Sequence, residues 1–363
     1  MSKSKKKSIN LDNVPSTRYQ GSKRKILSWI HEVLNELEFD TALDAFGGSA
    51  SVSYLLKKMD KSVTYNDKFK FNYYTGKALI ENQITLFTED DKRNLLNNNL
   101  KSPKIIERNF KNIYYLENEN KWLDKVTFGI QNMNHYKGNI LEYKKAIAYH
   151  SLFQASLIKR PFNLFHRRNL SLRTNDVKRS FGNKTTWDKT FTSCFDVFVN
   201  ETNSSIFNSN KQCFAINKSV FDIDYLPYDL VYMDPPYLNR NGTNETSNYL
   251  KCYHFLEGLA NYDNWETMID FTTINLRFKD SLLQNDFTVK TIHKTFSNLI
   301  EKFQDSKIVL SYKRGGVPSI DFLIKLMKRH KKKVYTKSQV YKYALNKQND
   351  NVKQNREVLI IGE

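Results

Sequence analysis

The segment running from Asp229 through Leu230, Val231, Tyr232, Met233, Asp234, Pro235, Pro236 and Tyr237 to Arg240 constrains the fold more than any other stretch. Its apolar run, Leu230 to Met233, reads as a buried parallel strand. Asp234 ends the run, and two prolines then forbid continuation as strand or helix. An acid, a fixed carbonyl and an aromatic ring are thus delivered together where a sheet opens into solvent. Such a set suits a planar ring bearing an amine. The carboxylate and a backbone carbonyl can accept the two amino hydrogens, and the ring can stack on the flat face. A plain turn after a strand uses the same residues, and the rest of the chain decides between the two.

Two more strand ends precede it. Thr41 to Phe46 is a short apolar strand. Gly47-Gly48-Ser49-Ala50-Ser51 is a turn of small residues, and Val52, Leu55, Leu56 and Met59 then recur at helical spacing. Ser62 to Tyr65 is a second strand, closed by Asn66 and Asp67. Strand, small-residue turn, helix and strand open a doubly wound α/β sheet, in which ligands bind beyond the C-terminal ends of strands where strand order reverses. Such a fold sets Asp44, Phe46, Gly47, Gly48 and Ser49 beside Asp234 and its neighbours. Asp67 suits ribose hydroxyls, and equally a helix cap. The turn has neither the GxGxxG fingerprint nor a P-loop Gly-Lys-Ser/Thr.

Before these strands, Ile26, Ile30, Val33, Leu34 and Leu37 form a helical stripe after the break at Gly21-Ser22. After them, Cys213 to Ile216, 229–233 and Lys307 to Tyr312 continue the sheet. Residues 334–344 and 357–361 read as a closing antiparallel pair, and 238–248 as a polar loop. Residues 1–13 are a basic tail, and 14–74 with 211–363 make the sheet domain. The intervening 75–210 is too long for a loop and reads as an inserted, mostly helical domain of short amphipathic patterns, 143–158 among them. The basic–aromatic run from Lys159 to Arg168 follows it.

The net charge of +19 is interleaved with 21 Tyr and 24 Phe. That combination points to a polyanion partner, although Lys- and Asn-rich usage also follows from an AT-rich genome. Cys194, Cys213 and Cys252 contain no CxxC pair, which argues against a disulfide framework and a zinc site. His31-Glu32 begins like HExxH, but Asn35 stands where the second histidine belongs. No metal is expected. The basic N-terminus is followed by no apolar segment, and no apolar run approaches membrane-spanning length. The expectation is a soluble cytoplasmic protein.

With these residues in view, the chain resembles the Dam-like, alpha-group DNA adenine-N6 methyltransferases from residue 15 to the C-terminus. Arg18-Tyr19-Gln20-Gly21-Ser22-Lys23 looks like the motif that flanks the methyl donor, through Tyr19 and Lys23. The run from Asp44 to Val52 resembles the donor-binding loop, with Ala50 where many relatives have Gly. Asn66-Asp67 matches the ribose-binding acid, and Asp234-Pro235-Pro236-Tyr237 the catalytic tetrad. The resemblance also makes Asn217 and Ser219 candidates for the donor site, with Ser219 where some relatives place an acid that supports the donor's adenine ring. Residues 159–168 look like the hairpin that reads DNA in the major groove. Lys159, Arg160, Asn163, His166, Arg167 and Arg168 are its candidate contacts, each able to serve a phosphate instead of a base.

The resemblance implies a doubly wound, Rossmann-like sheet dependent on S-adenosylmethionine, carrying a mostly helical DNA-recognition domain. It implies site-specific methylation of the N6 amine of an adenine flipped out of duplex DNA. The chain would be the modification half of a restriction–modification pair, with a companion restriction endonuclease, or a solitary regulatory methylase. Methylation of cytosine N4, or of adenine in RNA, is the rival reading. Asp234 favours adenine in DNA, since Ser is commoner there in cytosine-N4 enzymes and Asn in RNA enzymes. A binding module that has lost catalysis is a further rival, against which the intact Asp234 and Tyr237 argue.

Overall fold

The computed structural model describes residues 9–11, 14–175, 184–224, 226–236, 238–239, 248–283, 286–340 and 356–363. Tyr237, residues 240–247 of the expected polar loop, 341–344 of the expected strand and most of the basic tail lie outside them.

A seven-stranded sheet organises the chain. Its strands are β1 (Thr41–Asp44), β2 (Ser62–Asn66), β3 (Cys213–Ile216), β4 (Leu230–Met233), β6 (Lys307–Lys313), β8 (Val334–Val340) and β9 (Arg356–Gly362). The short strands β5 (Leu238–Asn239) and β7 (Gly316–Val317) pair separately. The spatial order is β3-β2-β1-β4-β6-β9-β8. The first five are parallel, and β9 and β8 close the sheet antiparallel, as expected from the sequence. Strand order reverses between β1 and β4, so Asp44 and Asp234 follow adjacent parallel strands.

Alternation along the central strands divides the core in two. Ala42, Leu230, Tyr232, Val309, Leu359 and Ile361 face one apolar layer. Leu43, Val231, Met233, Ile308, Leu310, Val358 and Ile360 face the other. The second layer is covered by the helices Ile292–Lys302 and Ile320–Met327. The first receives the helices Leu27–Leu34 and Ser51–Lys58, whose expected stripes are buried at Ile26, Ile30, Val33, Leu34, Leu37, Val52, Leu55 and Leu56.

The long middle segment is helical, with Glu117–Gln131, Gly138–Ile158 and Phe191–Ser205 its longest helices. Its apolar core is continuous with the first layer of the sheet rather than separate from it. Gly138–Ile158 is buried nearly all round from Ala146 to Leu157, and each such Leu or Ile contributes about 1.5–3 kcal/mol. Among the described residues no helix is long and apolar enough to cross a membrane, and no cluster of His, Cys, Asp or Glu could hold a metal ion.

Candidate active site

The loop after β1 is shaped by backbone bonds to the neighbouring strands. Ala45 N–H donates to the Tyr232 carbonyl of β4, and Gly47 N–H to the Asn66 carbonyl of β2. Gly48 has φ +48, and a Cβ there would meet the Tyr19 ring at 3.2 Å. Ala50 sits at φ 60, a left-handed conformation that favours glycine. It keeps the turn that the sequence pattern implied. Asp44 Oδ2 accepts the Ser53 amide (3.1 Å) and hydroxyl (2.6 Å), so this acid also fixes the start of the helix Ser51–Lys58. Burial pushes its pKa up to about 7.

At the end of β2, Asp67 Oδ2 accepts Gly48 N–H at 2.9 Å and Oδ1 accepts Phe69 N–H at 2.8 Å. Burial outweighs these bonds and raises Asp67 to about 6. Asn217, after β3, donates from Nδ2 to the Asp67 carbonyl at 2.8 Å. Asn217 therefore braces the acid from behind.

At the end of β4, Asp234 Oδ2 lies 2.9 Å from the Lys23 ammonium. Oδ1 is buried and has no hydrogen-bond partner among the described residues. Burial raises Asp234 to about 6, opposed by Lys23 and assisted by Glu357. Pro235 is buried behind it.

One cleft joins these strand ends. Its walls include Tyr19, Lys23, Asp44, Phe46, Gly47, Gly48, Ser49, Asp67, Ser219, Asp234 and Pro236. Of the residues expected at a donor site, only Asn217 stands outside the lining. Ser22 and Ser51 of the two expected motifs line it as well, and sequence reasoning missed Phe69, Tyr249 and Phe287. The Ser22, Ser49 and Ser51 hydroxyls lie within 2.9–3.1 Å of one another. Phe287 meets Phe46 edge-on at 5.7 Å, and Tyr249 stacks on Tyr19 at 5.6 Å. The i, i+4 spacing of Tyr249 and Tyr253 was the available signal, since both rings stack with Tyr19.

Carboxylates converging in an aromatic-walled cleft fit a flat, hydroxyl-bearing ligand that also carries positive charge. Burial alone disfavours their ionised forms, and a cation restores them.

The expected DNA contacts divide differently. The segment 159–168 is no hairpin: Pro161–Asn163 is a short 3-10 turn, with Phe162 and Asn163 at positive φ. Lys159 and Arg160 are each 1% exposed, which corrects the expectation that they touch DNA. Lys159 pairs with Glu119 at 2.8 Å. Arg160 donates to the carbonyls of Leu164, Arg167 and Arg168 and lies over the Tyr114 and Phe165 rings. Arg160 is consumed in shaping the turn, and Lys159 in tying it to Glu119 and the Trp187 and Lys189 carbonyls. Arg167 and Arg168 are exposed, and Asn163 and His166 half-buried.

The profile of the family described as D12 class N6 adenine-specific DNA methyltransferase matches residues 19–301. The Type II methyltransferase M2.HphI of Haemophilus parahaemolyticus is 27% identical over 333 residues, covering 90% of this chain and 91% of that protein. The Type II methyltransferase M.FokI of Planomicrobium okeanokoites is 26% identical over 356 residues, covering 86% of this chain and 47% of that protein. The matched span takes in the cleft at the strand ends, the helical segment and Asp234 together, and so the chain belongs to the D12 class of N6 adenine-specific DNA methyltransferases.

Proposed function

We propose that the cleft binds S-adenosylmethionine, and that Asp234 and Pro235 hold the N6 amine of an adenine flipped out of duplex DNA. The observation that carries this reading is the buried Asp234 Oδ1, which has no hydrogen-bond partner among the described residues while Oδ2 is held by Lys23. An orphaned buried carboxylate oxygen is costly, and an amino hydrogen of the target base would satisfy it.

The adenine amine is a poor nucleophile because its lone pair is delocalised into the ring. Two hydrogen bonds, to Asp234 and to the Pro235 carbonyl, favour a pyramidal nitrogen with its lone pair free. At about 6, the Asp234 pKa leaves the carboxylate ionised at neutral pH. Bound in the cleft, S-adenosylmethionine supplies a methyl group activated on a sulfonium. In this reading Asp67 accepts ribose hydroxyls, and Phe46, Phe69 and Phe287, which line the cleft, offer apolar walls to the donor's base. Ser219 lies in the same wall, without the acid that some relatives place there. By its position in the sequence, Tyr237 supplies a stacking face for the extruded adenine.

The chain order of donor loop, helical segment and Asp234 tetrad supports a Dam-like, alpha-group arrangement within the family. In this reading the helical segment 75–210 carries target recognition, with Arg167, Arg168, Asn163 and His166 toward DNA. The two relatives named as Type II methyltransferases support a place in a restriction–modification system, beside an endonuclease that reads the same site. The test is mass spectrometry of nucleosides from DNA and RNA incubated with the protein and S-adenosylmethionine. N6-methyladenine in DNA is expected. N4-methylcytosine, or methyladenine in RNA alone, would refute the reading.

A further inference from the structure

We propose that Glu357, in β9, is a positioning residue for Asp234 and acts on it through Lys23; this rests on Asp234 being the carboxylate that meets the target amine. Glu357 is completely buried. Its Oε1 lies 3.1 Å from Lys23 Nζ and accepts the Ser311 hydroxyl at 2.7 Å. Lys23 Nζ lies 2.9 Å from Asp234 Oδ2. One ammonium from the N-terminal motif is therefore shared between a carboxylate at the end of β4 and one near the other end of the chain.

The fold does not require an acid at this position. Val358 to Ile361, which follow it in β9, are apolar and buried. Burying a carboxylate is costly unless it is paired, and an apolar side chain is often as stable in its place. What Glu357 adds is a second anchor for Lys23. Without that anchor the ammonium is less restrained and can move over both oxygens of Asp234. Held also by Glu357, it stays on Oδ2, and Oδ1 is left for the amine. Ser311 fixes Glu357 in turn, through β6, which pairs with both β4 and β9.

The groups that face Asp234 electrostatically are Lys23, Glu357, Tyr232, Tyr249 and Asp44. Glu357 is the one among them whose negative charge is tied to the same ammonium. Neutralising it should let Lys23 draw closer to Asp234. The carboxylate then becomes a weaker acceptor for the amine, and also a weaker base toward solvent protons.

The experiment uses the full chain, S-adenosylmethionine and unmethylated DNA from a methylation-deficient host. Turnover is followed against pH for the wild type, Glu357→Gln, Ser311→Ala and Asp234→Ala. Glu357→Gln keeps the side-chain shape and an acceptor for Ser311. It should lower kcat on the order of tenfold, the scale of a small misplacement of a reacting group. KM for the donor and for DNA should hardly move, and the acid limb of kcat should shift to lower pH. Ser311→Ala, which loosens Glu357 without removing it, should give a smaller change in the same direction. Unchanged kcat and acid limb in both variants would overturn the proposal. So would a kcat loss accompanied by raised KM and a fixed acid limb, since a merely structural role gives that pattern. Normal transfer by Asp234→Ala would instead overturn the reading of Asp234 itself, whatever Glu357 does.

Discussion

Asp67, at the end of β2, accepts the amide of Gly48 in the loop after β1 at 2.9 Å. One carboxylate thereby ties two strand ends together and sets the floor of the cleft. Asp67→Asn would turn an amide NH2 toward the Gly48 or Phe69 N–H groups that the acid now accepts. Donor affinity should fall by about 1.5–3 kcal/mol, the worth of hydrogen bonds to a charged group. DNA binding without donor should be unchanged. Calorimetry finding wild-type donor affinity would leave Asp67 as a tie for the loop alone.

Asp234→Ala should abolish methyl transfer and spare binding, because the bond to the amine is most valuable in the transition state. The wild-type pH dependence follows from the raised pKa. The active form is the carboxylate, so kcat at saturating donor should fall as pH drops through about 6. An unperturbed aspartate would fail only near 3.8. Asp67, also raised to about 6, should act on the donor KM over the same range. A kcat that stays flat from pH 8 to about 4.5 would contradict the assignment.

Much of this site was legible because each of its acids ends an apolar run. A run of Leu230 to Met233 buried on both faces has few readings, and prolines fix where it stops. The same logic located β1, β2, β3 and β6, and the doubly wound order then placed Asp44 beside Asp234. Pairings between side chains distant in sequence were not legible. Lys23 and Glu357 meet only because β9 inserts between β6 and β8. The run 159–168 misled for a related reason. Arginine among aromatic residues has the same composition on a DNA-facing surface and over buried rings, and Glu119, which binds Lys159, stands in a different helix. Nothing in the run shows that its carbonyls would fold back onto Arg160.

Gly21 is held at φ +85, and a Cβ there would lie 2.9 Å from the Tyr249 hydroxyl. Gly21→Ala should therefore cost about 1–2 kcal/mol from the backbone alone. It should also displace Tyr249 from the cleft wall and raise the donor KM. Adding Tyr249→Phe removes the clashing oxygen and should recover the KM while leaving the stability loss. No recovery in the double variant would mean that the backbone strain, and not the tyrosine, disturbs the site.

Arg160 and Arg167 separate structural cations from DNA-facing ones. Arg160 is 1% exposed, bonded to three carbonyls and stacked over aromatic rings, and burial lowers it to about 10. Arg160→Ala leaves those carbonyls unsatisfied, so it should destabilise the fold by about 3 kcal/mol or more. DNA affinity per folded molecule should show an unchanged salt slope. Arg167 and Arg168 are exposed on the same turn. Their Ala variants should leave the melting temperature nearly unchanged and weaken binding to all DNA sequences. Each lost phosphate contact should make the slope of log K against log salt shallower by about 0.9. Relaxed preference at one base position, with an unchanged slope, would instead identify either arginine as a base reader, at about 1–3 kcal/mol for the cognate base. Thermal melts, salt titrations and sequencing of methylated sites for the three variants distinguish these outcomes. An Arg160→Ala protein that melts normally but loses salt dependence would place Arg160, and not only Arg167 and Arg168, on the DNA-facing surface.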